Sequence, residues 1–278
     1  MKRVIPYIKE SLKAYYPESE ISGFTRIIIE HITGKSYHQA LLTDVELMPD
    51  EQQKVESIIE RLKRHEPIQY VLEETEFFGL PFRVNENVLI PRPETEELVE
   101  LILKENDKTG LCVLDIGTGS GAIAIALAKH MKNANVSAWD ISAKALDVAA
   151  KNSKANTASV SFKQVDVLSD CPPEKKFDII VSNPPYVLEN EKESMEQNVL
   201  DYEPHLALFV PDNDPLLFYN RIADIASNLL NPNGKLYFEI NQAKGKEVVS
   251  MLKGKGFTDI ALFQDLSNKD RMVRAGRL

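Results

Sequence analysis

The chain has 278 residues, 43% of them hydrophobic and 27% charged, which is too apolar to stay disordered and long enough for one large or two ordinary domains. Its 33 basic and 42 acidic residues give a formal charge of −9, and residues 1–75 hold 10 basic and 13 acidic groups, so neither part is a basic module for sequence-independent nucleic-acid binding. Cys112 and Cys171 stand outside any CxxC or Cys/His cluster, which argues against a disulfide framework and against a metal site.

The opening MKRVIPYIKESLKAYYPE breaks into charges before any apolar stretch of signal-peptide length. No uncharged apolar run reaches the roughly 20 residues of a membrane span. A soluble, cytoplasmic protein with no membrane partner is expected.

Residues 1–75 read as an N-terminal helical bundle. Ile27, Ile28, His31 and Ile32 recur at helical spacing, and Val55, Ile58, Ile59 and Leu62 do so after the start signal Met48-Pro49-Asp50-Glu51. Residues 76–95 change texture and predict a hairpin linker. Glu76–Val84 and Val88–Ile90 look like two short strands, interrupted by Gly79, Pro81 and the turn pair Asn85-Glu86. Pro91-Arg92-Pro93-Glu94-Thr95-Glu96 then stops the strand and opens an amphipathic helix carrying Leu98, Val99, Leu101 and Ile102.

Residues 96–278 alternate strand and helix. Strands are predicted at Leu111–Ile116, Val136–Ile141, Val160–Val165, Phe177–Ser182, Lys235–Ile240, Thr258–Phe263 and Met272–Ala275; helices near Gly121–Met131, Ala143–Ser153, Leu216–Leu230 and Lys244–Lys253. Repeated βα units with apolar strands imply a parallel sheet covered on both faces. The last two strands are too close for a crossover helix, so the final one should pair antiparallel.

Asp115-Ile116-Gly117-Thr118-Gly119-Ser120-Gly121 ends the first of these strands and opens a helix, a place where glycines allow a tight turn and close approach of a ligand to the backbone. Asp140 ends the second strand, where a carboxylate can accept both hydroxyls of a ribose. Asp166 ends the third, where a polar side chain and its backbone could read an adenine edge; capping of the element that follows is the competing use, and it weighs more for Asp166 than for Asp140. A nicotinamide dinucleotide and S-adenosylmethionine both fit this constellation.

Asn183-Pro184-Pro185-Tyr186 follows the fourth strand, at the carboxyl edge where open α/β sheets bind ligands. A residue before proline is held extended, and neither proline has an N–H, so the local backbone offers acceptors and almost no donors. Such a site suits a planar –NH2 group. The Asn183 side-chain oxygen and the Pro184 carbonyl can take its two protons while Tyr186 packs on its face and Pro185 keeps the turn rigid. An amide or exocyclic amine held so can meet a sulfonium methyl in line, and no histidine base is required. None of the five histidines lies in a motif.

At these residues the chain resembles the HemK/PrmC family of peptide chain release factor N5-glutamine methyltransferases. The resemblance is carried by Glu66-Pro67-Ile68-Gln69-Tyr70, Phe77-Phe78-Gly79, Phe82, Leu89 to Glu96, Asp115 to Gly121, Asn183 to Tyr186, Asp201-Tyr202-Glu203-Pro204 with Ala207-Leu208, and Asp270-Arg271. It implies a class I, Rossmann-like S-adenosylmethionine methyltransferase domain: a seven-stranded sheet with an antiparallel last strand, joined by a hairpin linker to a helical bundle that recognises the substrate. It also implies S-adenosylmethionine as donor, S-adenosylhomocysteine as product, and class I release factors as protein substrate through the glutamine of their Gly-Gly-Gln motif, which modulates translation termination. Gly117, Thr118, Gly119, Ser120 and Gly121 would surround the methionine part of the donor, Asp140 would hold the ribose, and Asp166 and Asn183 would complete the pocket. Asn183, Pro184, Pro185 and Tyr186 would bind the glutamine amide. One departure is visible: Asn241-Gln242-Ala243-Lys244-Gly245 stands where a Gly- and Gln-Gly-containing turn is expected, a change that should touch no catalytic group. Pro91–Glu94 would serve either as a linker turn or to shape the donor pocket and substrate mouth.

Three other readings compete. The Asn-Pro-Pro-Tyr geometry would also serve an adenine or guanine N-methyltransferase after base flipping, though the −9 charge and the acidic Glu189–Glu193 segment oppose phosphate. A nicotinamide-dependent dehydrogenase would use the glycine loop alone. A scaffold would bind release factors through residues 1–75 without catalysis.

Overall fold

A computed structural model of the protein describes residues 4–42, 46–170 and 175–277; Cys171 lies outside the described residues. The chain forms two compact units, Met1–Glu73 with Glu196–Tyr202, and Glu74–Met195 with Glu203–Leu278. The segment 196–202 is an addition that the boundaries drawn from sequence lack.

The first unit contains α1 (Val4–Leu12), α2 (Glu18–Thr33), α3 (Tyr37–Leu42), α4 (Pro49–Leu62) and α5 (Ile68–Leu72). Val55, Ile58, Ile59 and Leu62 of α4 are buried, because a 3.6-residue period puts them on one stripe. Pro49 opens that helix, and the Glu51 carboxylate accepts the Met48 N–H at 2.8 Å. In α2 the stripe lies one residue away from the predicted one. Ile21, Thr25, Ile28 and Ile29 are buried, whereas Ile27 is exposed. A run of three isoleucines hides the phase, and Thr25 and Ile21, one and two turns earlier, decide it.

The second unit opens on a hairpin, β1 (Glu74–Phe77) and β2 (Leu80–Arg83). Its turn is Phe78-Gly79, with φ of +52° and +70°, the double left-handed conformation that matches the twist of a two-residue hairpin. Both strands therefore fall within the stretch 74–83. Val88–Ile90 is not a strand, and the Ile90 N–H goes to the Glu203 carboxylate instead of to a ladder. Phe77 and Phe82 meet edge to face at 6.0 Å between centroids.

The chain continues through α6 (Pro93–Glu105), β3 (Cys112–Ile116), α7 (Ala122–His130), β4 (Asn135–Asp140), α8 (Ala143–Ala155), β5 (Val160–Gln164) and β6 (Phe177–Ser182). An excursion follows with β7 (Val187–Leu188), a 3₁₀ turn at Glu189–Ser194, α9 (Gln197–Tyr202) and β8 (Phe209–Val210); then come α10 (Leu217–Leu229), β9 (Leu230–Glu239), α11 (Gly245–Gly254), β10 (Thr258–Gln264) and β11 (Asp270–Gly276). Seven strands form one sheet in the order β10-β11-β9-β6-β3-β4-β5. β3, β4, β5, β6 and β9 are parallel, and β11 runs antiparallel to both neighbours. This is the class I methyltransferase sheet with its antiparallel last strand.

Side chains alternate between the faces, as a pleated strand requires. Leu114, Ile180, Leu236 and Phe238 join the core under α10 and α11. Val113, Ile179, Val181 and Tyr237 join the core under α6 and α7, where Phe77 and Phe82 of the hairpin are also buried. Phe82→Ala should therefore cost about 3–5 kcal/mol, read as a lower urea midpoint for the transition of this unit. An unchanged midpoint would show that the hairpin is only a linker.

Candidate active site

The strand order reverses beside β3: β4 and β5 are added on one side, β6 and β9 on the other. Carboxyl ends of strands at such a switch leave a crevice. A cavity of about 330 Å³ occupies it, walled by Gly117 and Gly119 after β3, Asp140 and Ile141 after β4, Val165–Leu168 after β5 and Asn183–Pro185 after β6. Glu86–Leu89 closes another wall, with Pro204, Leu206 and Ala207 beside it.

The loop after β3 is held from behind. Gly117 and Thr118 both donate their N–H groups to the Trp139 carbonyl, at 2.8 and 3.0 Å. Gly121 has φ of +84°, and a Cβ there would lie 2.9 Å from Ile125 Cδ1 and 3.1 Å from Ala149 Cβ; a side chain would push α7 away from α8. Of the five loop residues, only Gly117 and Gly119 reach the cavity wall. Thr118, Ser120 and Gly121 support it: the Thr118 hydroxyl donates to Asp115 at 2.6 Å, and the Ser120 carbonyl accepts the Asn152 amide at 2.9 Å.

Asp115 is fully buried beneath this loop, and its Oδ1 has no hydrogen-bond partner of normal geometry. Burial pushes its carboxyl up to about 7, against the Thr118 hydroxyl and the Ala124 N–H, which favour the ionised form.

Asp140 stands in the wall with both oxygens fixed, Oδ2 accepting the Gly119 N–H at 2.8 Å and Oδ1 the Ser142 N–H at 2.9 Å. Burial raises its pKa and these backbone donors oppose the rise. Each oxygen keeps a second lone pair for a ligand. Asp166 is employed differently. Its Oδ1 accepts the Leu168 N–H at 2.9 Å and its Oδ2 the Ser169 hydroxyl at 2.8 Å, while its own N–H donates to Asp170 at 2.7 Å. The residue lines the cavity, yet its backbone N–H is not offered to an adenine; it builds the turn after β5, the use to which aspartate is suited by its short side chain.

Asn183, Pro184 and Pro185 lie in the opposite wall. Asn183 Nδ2 donates to Thr95 Oγ1 at 3.2 Å, and Thr95 Oγ1 donates to Glu239 Oε2 at 2.6 Å. Tyr186 is outside the cavity wall, packed against the core under α10. Its hydroxyl donates to Glu239 Oε1 at 3.0 Å, since a buried phenol needs a polar partner. Burial, and secondly the Glu239 charge, raise its pKa. So Tyr186 braces the motif from behind and does not form the face of the pocket.

Three residues outside the predicted set belong to this framework: Thr95, Glu239 and Asn241. Thr95 sits within the Pro91–Glu96 motif and Glu239 within the predicted strand Lys235–Ile240, but nothing local marks their meeting. Asn241 belongs to the divergent turn expected to touch no catalytic group. Its Nδ2 donates to the Tyr186 carbonyl at 3.2 Å while its Oδ1 accepts the Ala243 N–H at 2.9 Å, so the departure bears directly on the motif. Pro91–Glu94 does not line the cavity. Pro93 opens α6, and Arg92 pairs with the buried Glu203, which also takes the Ile90 N–H at 3.1 Å. Among the described residues no group of three or more His, Cys, Asp or Glu is placed to hold a metal, and no helix is long and apolar enough to cross a membrane.

Comparison with known proteins identifies the geometry. Residues 4–72 match the PrmC N-terminal domain and residues 94–202 the Methyltransferase small domain. The chain is 49% identical to a release factor glutamine methyltransferase of Bacteroides thetaiotaomicron over the full length of both, and 50% identical to that of Flavobacterium psychrophilum over 95% of each. It belongs to the release factor glutamine methyltransferase family. The fold agrees with a methyltransferase from Pyrococcus furiosus, with a TM-score of 0.53 at 19% identity over 72% of this chain and 90% of that one.

A methyltransferase of this family uses S-adenosylmethionine, and the residues present fit that donor. A Cβ on Gly119 would meet nothing within 4 Å, so the loop is open on its cavity side. Asp140 offers fixed carboxylate oxygens for ribose hydroxyls, and Ile141, Val167 and Leu168 give apolar walls for a base.

Asp115 makes a pH-dependent contribution that can be isolated. Its folded pKa of about 7 lies above the ordinary carboxylate value of about 4. Between these values the folded protein holds a proton that the unfolded chain releases, so stability falls as pH rises. Calorimetry from pH 5 to 8 should show Asp115→Asn gaining on the wild type as pH increases. A difference independent of pH would contradict this.

Proposed function

We propose that the chain transfers the methyl group of S-adenosylmethionine to the side-chain amide nitrogen of the glutamine in the Gly-Gly-Gln motif of class I peptide chain release factors, with S-adenosylhomocysteine as product. The observation that carries the reading is the carboxamide of Asn183, in the cavity wall beside two prolines that have no N–H to offer and tethered from behind by its nitrogen to Thr95. When bound, the donor supplies an electrophilic sulfonium methyl.

The protein's own part is positioning. An amide nitrogen is a poor nucleophile because its lone pair is delocalised, so both N–H bonds must be held. Asn183 Oδ1 and the Pro184 carbonyl accept them, which orients the nitrogen and steadies it as positive charge develops. Fixing a reacting pair in this way is worth up to roughly 7–11 kcal/mol. Asp140 holds the ribose, and the turn at Asp166 shapes the base pocket.

The family assignment and the −9 charge favour a protein substrate over nucleic acid. Residues 1–75, which contain the PrmC N-terminal domain, would select it. The setting is cytoplasmic, where translation terminates, with no metal and no direct nucleic-acid or membrane partner.

Labelled donor should mark a purified release factor and leave DNA and rRNA unlabelled; label in nucleic acid instead would overturn the reading. Asn183→Ala should lower kcat by about 100-fold or more, with donor binding by calorimetry largely kept. Asp140→Asn should do the reverse: donor Kd rises about tenfold or more, as expected for hydrogen bonds to a charged group. An Asp140→Asn protein that binds donor normally would remove the ribose assignment.

A further inference from the structure

We propose that Thr95 and Glu239 are positioning residues that set which end of the Asn183 carboxamide faces the substrate. The inference rests on the glutamine-methylating reading above and adds the device that gives Asn183 its direction.

The oxygen and nitrogen of a carboxamide have nearly the same shape, so packing alone cannot choose between them. The choice matters here. With Oδ1 toward the cavity, Asn183 accepts a hydrogen bond from the glutamine –NH2; turned over, it would present one –NH2 to another. A fixed acceptor behind Asn183 decides the matter, and the bond network provides one.

Glu239 is 1% exposed and ends β9 on the face that carries Tyr237, under α6. Its carboxylate receives two hydroxyls, Thr95 on Oε2 and Tyr186 on Oε1. An ionised carboxylate has no proton to give. Thr95 must therefore spend its single hydroxyl hydrogen on Glu239, and only lone pairs are left on Oγ1. Asn183 has to turn Nδ2 to it, as observed at 3.2 Å, which leaves Oδ1 for the cavity. Burial raises the Glu239 pKa, while the Thr95 and Tyr186 hydroxyls and the Arg271 charge act to keep it ionised. Arg271 is itself anchored by Asp265 at 3.1 Å. One carboxylate thus orients both the asparagine and the tyrosine of the motif, from strands and a helix remote in sequence.

Two substitutions at Thr95 separate this role from packing. Thr95→Val keeps the shape and removes the hydroxyl; Thr95→Ser keeps the hydroxyl and removes a methyl. With full-length enzyme and purified release factor, Thr95→Val should lower kcat by about tenfold or more, whereas Thr95→Ser stays within about threefold of wild type. Donor Kd by calorimetry should not change in either. A packing role predicts the opposite order, so Val at wild-type rate, or Ser slower than Val, overturns the proposal. Glu239→Gln, whose amide brings a donor to a place that needs only acceptors, should match Thr95→Val, and the double variant should be no slower than either single one. Additive losses would also overturn it. A wild type that leaves the release factor unlabelled would refute the substrate reading; a labelling wild type with an unaffected Thr95→Val refutes only the network.

Discussion

A carboxylate buried at the end of a strand must find donors, and around Glu239 that requirement organises a large part of the site. Thr95 from the start of α6, Tyr186 from the turn after β6 and the nearby Arg271 from β11 all converge on it. Because the carboxylate only accepts while ionised, the two hydroxyls that reach it are ordered as donors toward it. The direction is passed outward to Asn183 and so to the cavity. Burying a charge is costly unless it is fully hydrogen-bonded, and here that cost is accepted where orientation matters most.

The sheet supplies the place for this arrangement. The switch in strand order beside β3 brings the ends of β3, β4 and β6 together around one crevice. The glycine turn and Asp140 occupy one side and Asn183 with its prolines the other. The first side is held by bonds that do not depend on a ligand, Gly117 and Thr118 on the Trp139 carbonyl and Gly119 and Ser142 on the Asp140 carboxylate, and the second by the Asn183 amide on Thr95. A site that needs a methyl donor and an amide in register gains from walls set before either arrives.

Much of this was legible in the sequence because it is local or periodic. Apolar runs marked the parallel strands, and the short gap before Met272 marked the antiparallel one. The stripe Val55, Ile58, Ile59 and Leu62 fixed α4. Where two local signals competed, the reading slipped: Phe78-Gly79 and Asn85-Glu86 both look like turns, and only the first closes the hairpin. Three consecutive isoleucines likewise concealed which face of α2 is buried. The network behind Asn183 was illegible for a different reason. Asn183 and Thr95 are 88 residues apart, and Thr95 and Glu239 are 144 apart; no spacing rule connects them. Nothing local in the sequence ties Asn241 to the motif either, because its bond to the Tyr186 carbonyl exists only once β6 and β9 are neighbours.

A site built in this way is suited to deliver a methyl group to one glutamine amide of a protein. The most direct measurement is mass spectrometry of a release factor after incubation with the full-length enzyme and S-adenosylmethionine, with the modified residue mapped by fragmentation. A single added methyl on the side chain of the Gly-Gly-Gln glutamine is expected. A methyl group on any other residue, or an unmodified release factor beside a methylated nucleic acid, would contradict this assignment.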